Sequence, residues 1–266
     1  MKKIFTAFLS LAIFTGAWAQ SVSVKQNGKE VLNVAPDNVE IQFSQSAPAA
    51  DVTARPVDGT WCSVGTSITW YNDHITATQN AVGLTRGYQD RVMDRLAFTK
   101  LINVGDNGGC AWRSVDKVVK ADYYTIEHGI NDWGNSIAPG TIEDYLNNAD
   151  NGTFAASYRK LIDKIFSVNP EAKIVLCTPR KGYGFSGYLP AKWYEPKNGN
   201  YLQDYAEIVR QIAQHESFPV ADFFFECGGQ RNLRKLSIDD ALHPNDPGFQ
   251  MMANVLIQAL EKVITD

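Results

Sequence analysis

From residue 59 onward, short apolar segments alternate with longer amphipathic ones, and this alternation constrains the fold more than any other feature of the chain. Segments 60–64, 101–104, 122–127 (DYYTIE), 173–177 (KIVLC) and 220–225 (VADFFF) read as strands. Residues 173–177 are nearly all apolar, as expected of a strand covered on both faces. Segments 88–97, 154–168, 202–215 and 249–263 carry helical periodicity. In 154–168, Phe154, Tyr158, Leu161, Ile162, Ile165 and Phe166 fall on one face, and Asn169-Pro170 stops the helix. Strands alternating with helices predict an α/β fold, a three-layer α/β/α sandwich on a roughly five-stranded parallel sheet. Such sheets gather their chemistry at the carboxyl ends of the strands.

The 266 residues, 44% hydrophobic and 20% charged, suffice for a large domain and exclude disorder, collagen-like repeats and coiled coil. The net charge is −4 with Lys and Arg scattered, which gives no footprint for nucleic acid. Cys62, Cys110, Cys177 and Cys227 are too dispersed for a disulfide scaffold and include no C-x-x-C pair. No metal or organic cofactor is expected, and the sequence selects neither a cysteine pairing nor an oligomeric state.

Met1-Lys2-Lys3 is a basic start, residues 4–14 are an apolar run, and Ala17-Trp18-Ala19 fits a small-x-small cleavage site. Residues 1–19 therefore read as a signal peptide, with export to the periplasm or the extracellular space. The apolar run is too short to span a bilayer, so no stable membrane insertion is expected. Residues 20–58 differ from the rest: 22–34 and 39–43 alternate like strands, Asn27-Gly28 suits a hairpin turn, and 44–56 is an Ala-, Ser- and Pro-rich stretch. We expect a β-rich arm over 20–58 packing on a main domain at 59–266.

Four places carry the chemistry. Ser67, in Val64-Gly65-Thr66-Ser67-Ile68, lies just past a strand and opens a helix, where backbone N–H groups and the helix dipole favour negative charge. Gly105-Asp106-Asn107-Gly108-Gly109 lets backbone approach a ligand closely, although neither G-x-G-x-x-G nor a P-loop matches. Gly129-Ile130-Asn131-Asp132 offers a side-chain amide that can donate to a developing oxyanion. In Asp239-Asp240-Ala241-Leu242-His243-Pro244, His243 can accept a proton near neutral pH, and Asp240 can hold its tautomer. Among His74, His128, His215 and His243, only the last has this arrangement.

In the order Ser, Gly, Asn, His, these blocks resemble those of the SGNH family, also called GDSL-type esterases and lipases, over about residues 59–266. Gly65-Thr66-Ser67 matches the first block, Gly108 the second, Gly129–Asp132 the third (G-x-N-D), and Asp240–Pro244 the most specific, D-x-x-H-P. The resemblance implies a flavodoxin-like SGNH hydrolase fold with Ser67 as nucleophile, His243 as base and Asp240 orienting it. It also implies an oxyanion hole made by the Ser67 and Gly108 N–H groups and the Asn131 amide, with Gly109 competing for the glycine role. Thr66 stands where the family's usual first block has Asp, so packing around it is expected to differ. The α/β-hydrolase elbow G-x-S-x-G fails at Thr69.

The expected activity is that of an exported serine esterase removing short acyl groups, acetyl foremost, from a small-molecule or carbohydrate ester. Aromatics cluster near the four blocks, and Trp70, Trp133, Tyr183 and Trp193 are the candidate substrate contacts. The alternatives are a lipase, lysophospholipase or thioesterase of the same family, and a non-catalytic carbohydrate-binding module on this scaffold.

Overall fold

The computed structural model describes residues 22–26, 29–34, 54–182, 188–229 and 231–264. The segment read as a signal peptide, the strand-like stretch 39–43 and most of 44–56 lie outside the described residues. The chain divides into two units, 1–52 and 53–266. In the first, β1 (Val22–Gln26) and β2 (Lys29–Val34) pair antiparallel, from Val22 opposite Val34 to Gln26 opposite Lys29, with a register shift between Val24 and Lys25.

The second unit begins with β3 (Arg55–Gly65), α1 (Ser67–Trp70), α2 (Ala77–Ala81), α3 (Tyr88–Arg95) and β4 (Leu96–Gly105). It continues through β5 (Tyr123–Glu127), α4 (Ile130–Gly134), α5 (Ile142–Leu146), α6 (Phe154–Val168) and β6 (Lys173–Cys177). It ends with α7 (Leu202–Glu216), β7 (Val220–Ala221), α8 (Phe223–Glu226) and α9 (Asp246–Leu260). The sheet runs β4-β3-β5-β6-β7 with every pair parallel. That is the doubly wound order of flavodoxin-like folds, as expected.

Two elements depart from the sequence reading, each for a local reason. Strand β3 starts at Arg55, opposite Leu96, so the main unit begins ahead of residue 59. Its pairing shifts register between Val57 and Thr60, where Gly59 sits at φ 135°, and that irregularity interrupts the apolar pattern. Conversely, 220–225 is a strand only over Val220–Ala221. The Asp222 carboxylate accepts the Phe225 N–H at 3.1 Å and turns the chain into α8.

Alternation along the strands fills two cores. Cys62, Val64, Tyr124, Ile126, Ile174 and Leu176 pack with Tyr158, Leu161 and Ile165 of α6 and with Tyr205, Val209 and Ile212 of α7. On the opposite side, Trp61, Val175 and Cys177 pack with Val92 of α3 and with Phe249, Met252 and Leu256 of α9. All four cysteines are buried and unpaired. Among the described residues, no helix is long and apolar enough to cross a membrane.

The strand ends lie in line: Gly65 is level with Gly105 and Glu127, and Glu127 with Cys177. The chain steps from β3 out to β4 and then returns to β5 on the other side of β3. The crevice outside such a reversal is where ligands bind in open parallel sheets. Ser67 and Asn131 follow the two strands that flank it.

Candidate active site

At the end of β3 the chain turns directly into α1. A Cβ on Gly65 would stand 2.1 Å from Thr69 Oγ1 and 2.9 Å from the Glu127 carbonyl oxygen, so the turn closes only on glycine. Thr66 caps α1 by accepting the Ile68 N–H on its hydroxyl at 3.2 Å. Ser67 is thus the first helical residue, a position whose N–H has no intrahelical acceptor.

Ser67 Oγ lies 2.9 Å from His243 Nε2, across 176 residues of sequence. His243 Nδ1 lies 2.5 Å from Asp240 Oδ2. The other Asp240 oxygen accepts the Leu242 and His243 N–H groups, each at 2.9 Å. These bonds require the tight turn in which Ala241 takes φ 58°, a left-handed conformation that costs a residue with a Cβ about 1–2 kcal/mol. Burial raises the Asp240 carboxyl, but the hydrogen bond and charge of His243 outweigh it and hold the group below the ordinary carboxylate range. Ser67 and His243 are themselves buried. Tyr71 packs edge-to-face on the imidazole, with ring centroids 4.8 Å apart.

The loop carrying Asp240 and His243 is tied to the end of β6. The buried Arg180 guanidinium donates to the carbonyls of Leu236 (2.9 Å) and Leu242 (3.1 Å) and to the Ser237 hydroxyl (3.1 Å). Neither Arg180 nor the Tyr71–His243 packing is legible in the sequence, because both depend on which loops meet.

On the opposite side of Ser67, the turn after β4 separates the two candidate glycines. Gly109 donates its N–H to the Asp106 carbonyl at 2.7 Å, closing the turn. Gly108 takes φ 72°, with nothing within 4 Å of where a Cβ would stand, and no described group accepts its N–H. The geometry therefore favours Gly108 over Gly109 as donor to a ligand. Asn131 is buried on α4, and its amide reaches this turn by donating to the Gly109 carbonyl at 3.0 Å. Tyr188 braces α4 from the far loop, donating to the Asn131 carbonyl at 3.0 Å.

Of the four candidate substrate contacts, the structure corrects one. Trp133 is fully buried and its indole N–H donates to the Asn200 carbonyl at 2.9 Å, so it packs α4 under the loop instead of facing a ligand. Tyr183 lies outside the described residues. Trp70 is half-buried, its ring stacked on His74 with centroids 4.0 Å apart. Trp193 walls a cleft of about 400 Å³ with Tyr194, Tyr201, Gln203 and Asp204. A smaller cavity of about 250 Å³ borders Gly108 itself and is walled by Cys110, Trp112, Arg113, Asn135 and Ile137. Trp112 is 58% exposed there. His128 is buried against the Ser114 hydroxyl at 2.9 Å, apart from the Ser67–His243–Asp240 line. Among the described residues, no group of three or more His, Cys, Asp or Glu side chains is disposed to hold a metal ion.

Asp132, the last residue of the G-x-N-D block, is fully buried with one oxygen on the Ala111 N–H at 3.1 Å. Burial pushes its carboxyl up to about 7. The unfolded chain releases that proton near pH 4, so between about pH 4 and 7 the folded state binds more protons, and stability falls as pH rises. Asp132→Asn keeps the acceptor and removes the charge. It should melt progressively higher than the parent as pH goes from about 5 to 8. An equal difference in melting temperature at both pH values would contradict the burial argument.

The sequence model of the GDSL-like lipase/acylhydrolase family matches residues 63–251. The fold is similar to the crystal structure of a possible lipase from Chitinophaga pinensis, at 27% identity and a TM-score of 0.67, covering 77% of this chain and 98% of that one. Two further structures show the fold alone. A protein from Lactobacillus plantarum is 22% identical with a TM-score of 0.61, covering 79% of this chain and 97% of that one. The lipase/acylhydrolase from Enterococcus faecalis is 17% identical with a TM-score of 0.53, covering 77% of this chain and 97% of that one. No curated protein matches by sequence.

Proposed function

The chain belongs to the GDSL-like lipase/acylhydrolase family and is a serine hydrolase acting on esters; on that premise we propose that it is an exported esterase that removes short acyl groups, acetyl foremost, from carbohydrate. The observation that carries the catalytic reading is the continuous line from Ser67 Oγ through His243 to Asp240, with contacts of 2.9 and 2.5 Å. His243 Nε2 takes the Ser67 proton as Oγ attacks the ester carbonyl. The oxyanion forms against the Ser67 and Gly108 N–H groups and the Asn131 amide, which pivots from the Gly109 carbonyl. Imidazolium returns the proton to the departing alkoxide, leaving an acyl-serine. Water, deprotonated by the same imidazole, then attacks the acyl-serine; the acid leaves as the acyl–Oγ bond breaks, and the imidazolium returns the proton to Ser67 Oγ. Asp240, kept ionised by its hydrogen bonds, stabilises the imidazolium at both stages.

The substrate reading rests on the cavity beside Gly108. Its 250 Å³ volume suits a small group better than a long chain. An exposed indole beside the partly exposed Arg113 guanidinium, which is held by Asp106, combines a flat apolar face with a cationic hydrogen-bond donor, which suits a sugar ring. Export is supported by the three-part grammar of residues 1–19.

The test is a substrate panel of p-nitrophenyl acetate, butyrate and octanoate with glucose pentaacetate and vinyl acetate. Acetate should turn over faster than octanoate, and the sugar should release acetate. Trp112→Ala should raise KM for glucose pentaacetate about tenfold while sparing vinyl acetate, whose alcohol is too small to lie on the indole. Octanoate preference would make the enzyme a lipase, and silence on the sugar would remove the carbohydrate assignment.

A further inference from the structure

The catalytic line does not use the carboxyl group closest to the nucleophile's own turn. Glu127 ends β5, level with Gly65, and is fully buried. One of its oxygens, Oε2, accepts from the Thr66 hydroxyl at 2.7 Å, the Thr66 N–H at 3.2 Å and the Thr69 hydroxyl at 3.3 Å. These two threonines bracket Ser67. The other oxygen, Oε1, has no hydrogen-bond partner among the described residues. Burial raises this carboxyl to about 7 against those hydrogen bonds, so the site carries an energetic penalty that an apolar residue would avoid.

The bonding also fixes a direction. The Thr66 hydroxyl has one proton, which goes to Glu127, and so its lone pair is aimed at the Ile68 N–H that it caps. Thr69 is held between Glu127 and the Tyr88 hydroxyl, 2.9 Å away. The first turn of α1, and with it the direction of the Ser67 side chain, is thus pinned from the neighbouring strand. Thr66 occupies the position where the family block usually has Asp, so this chain lacks an acid within the nucleophile block and instead has one beside it, on β5.

We propose that Glu127 is a positioning residue for the nucleophile: its carboxylate clamps Thr66 and Thr69 so that Ser67 Oγ stays aligned with His243 Nε2. The proposal rests on Ser67 being the nucleophile. The site is closed to substrate by burial, so the clamp acts on alignment, and its loss should appear in kcat. A misalignment on the order of an ångström costs about 10²-fold in rate.

The test compares Glu127→Val, Glu127→Gln, Thr66→Asp and the double variant Thr66→Asp/Glu127→Val, reading kcat and KM on p-nitrophenyl acetate and the rate of serine labelling by a fluorophosphonate. Glu127→Val should lower kcat and labelling together by about 10²-fold with KM nearly unchanged. Thr66→Asp alone should also lose activity, because it sets two buried carboxyls against each other. The double variant restores a single carboxylate, which can cap Ile68 and hold Thr69, and should exceed either single variant by about tenfold in kcat. Losses that merely add in the double variant, or a Glu127→Val kcat within about threefold of the parent, would overturn the clamp. If Glu127→Val does not fold, Thr69→Val decides, since it keeps the volume and removes one clamped hydroxyl: a lowered kcat at constant KM supports the proposal and an unchanged kcat refutes it. Glu127→Gln, which keeps an oxygen acceptor for both threonines, should stay within about threefold of the parent. Ser67→Ala in the same assay separates the two claims. If it leaves turnover intact, the nucleophile is wrong; if it silences the enzyme while Glu127→Val does not, only the clamp is.

Discussion

Ser67→Ala should lower kcat on p-nitrophenyl acetate by about 10⁶-fold, down to the residual rate that an oxyanion hole and binding sustain without a nucleophile. Among the described residues the side chain makes one hydrogen bond, to His243 Nε2, and it lies at the start of a four-residue helix capped by Thr66. Its removal therefore takes away the attacking oxygen and little of the packing. Melting temperature should stay close to that of the parent, and covalent labelling by a fluorophosphonate should disappear. Retention of turnover to within about tenfold would mean that another group forms the acyl intermediate, because loss of the nucleophile cannot be so mild.

Asp240→Asn should lower kcat by about 10⁴-fold through the tautomer of His243. One Asp240 oxygen is committed to the Leu242 and His243 N–H groups, each at 2.9 Å. An asparagine must keep its carbonyl oxygen on those two donors, which turns its NH₂ toward His243 Nδ1. Nδ1 can then only accept, so the ring proton moves to Nε2, the atom that has to receive the Ser67 proton. The loss should fall on kcat, with KM little changed and fluorophosphonate labelling slowed by a similar factor. Activity within about tenfold of the parent would show that the 2.5 Å contact does not set the tautomer.

The two predictions differ in what a sequence could have said about them. Ser67 and His243 stand out as candidates because their blocks, taken in order with those of Gly108 and Asn131, resemble the family's. Asp240 and His243 are three residues apart, so their contact is a property of a single turn. The 2.9 Å approach of Ser67 to His243 is not, since it joins the first and last blocks through the stacking of β3 against β5 and the docking of the Ser237–Pro244 bridge. The difference between Gly108 and Gly109 likewise lies in the folded turn. Both are glycines in one turn, and the hydrogen bond from Gly109 to Asp106 together with the open surroundings of Gly108 tells them apart.

Misreadings arose where local pattern and tertiary context disagreed. Trp133 is an aromatic residue two positions from Asn131, which in sequence looks the same whether it faces a ligand or the core; the loop carrying Asn200 covers it. The run VADFFF has strand composition, yet Asp222 caps a helix after two paired residues. Glu127 carried a signal that was open to reading: a lone acid ending a strand buried throughout. Its meaning, a clamp on Thr66 and Thr69, appeared only when β5 was set beside β3.

By itself, the sequence determined the alternation of strands and helices, the parallel sheet and the candidates for the reacting groups, because periodicity and block spacing are properties of neighbouring residues. The tertiary structure decided which donors remain available to a ligand, which aromatic rings are covered, and what holds the nucleophile in line. Those properties depend on distances between segments that are remote along the chain, and only packing fixes such distances.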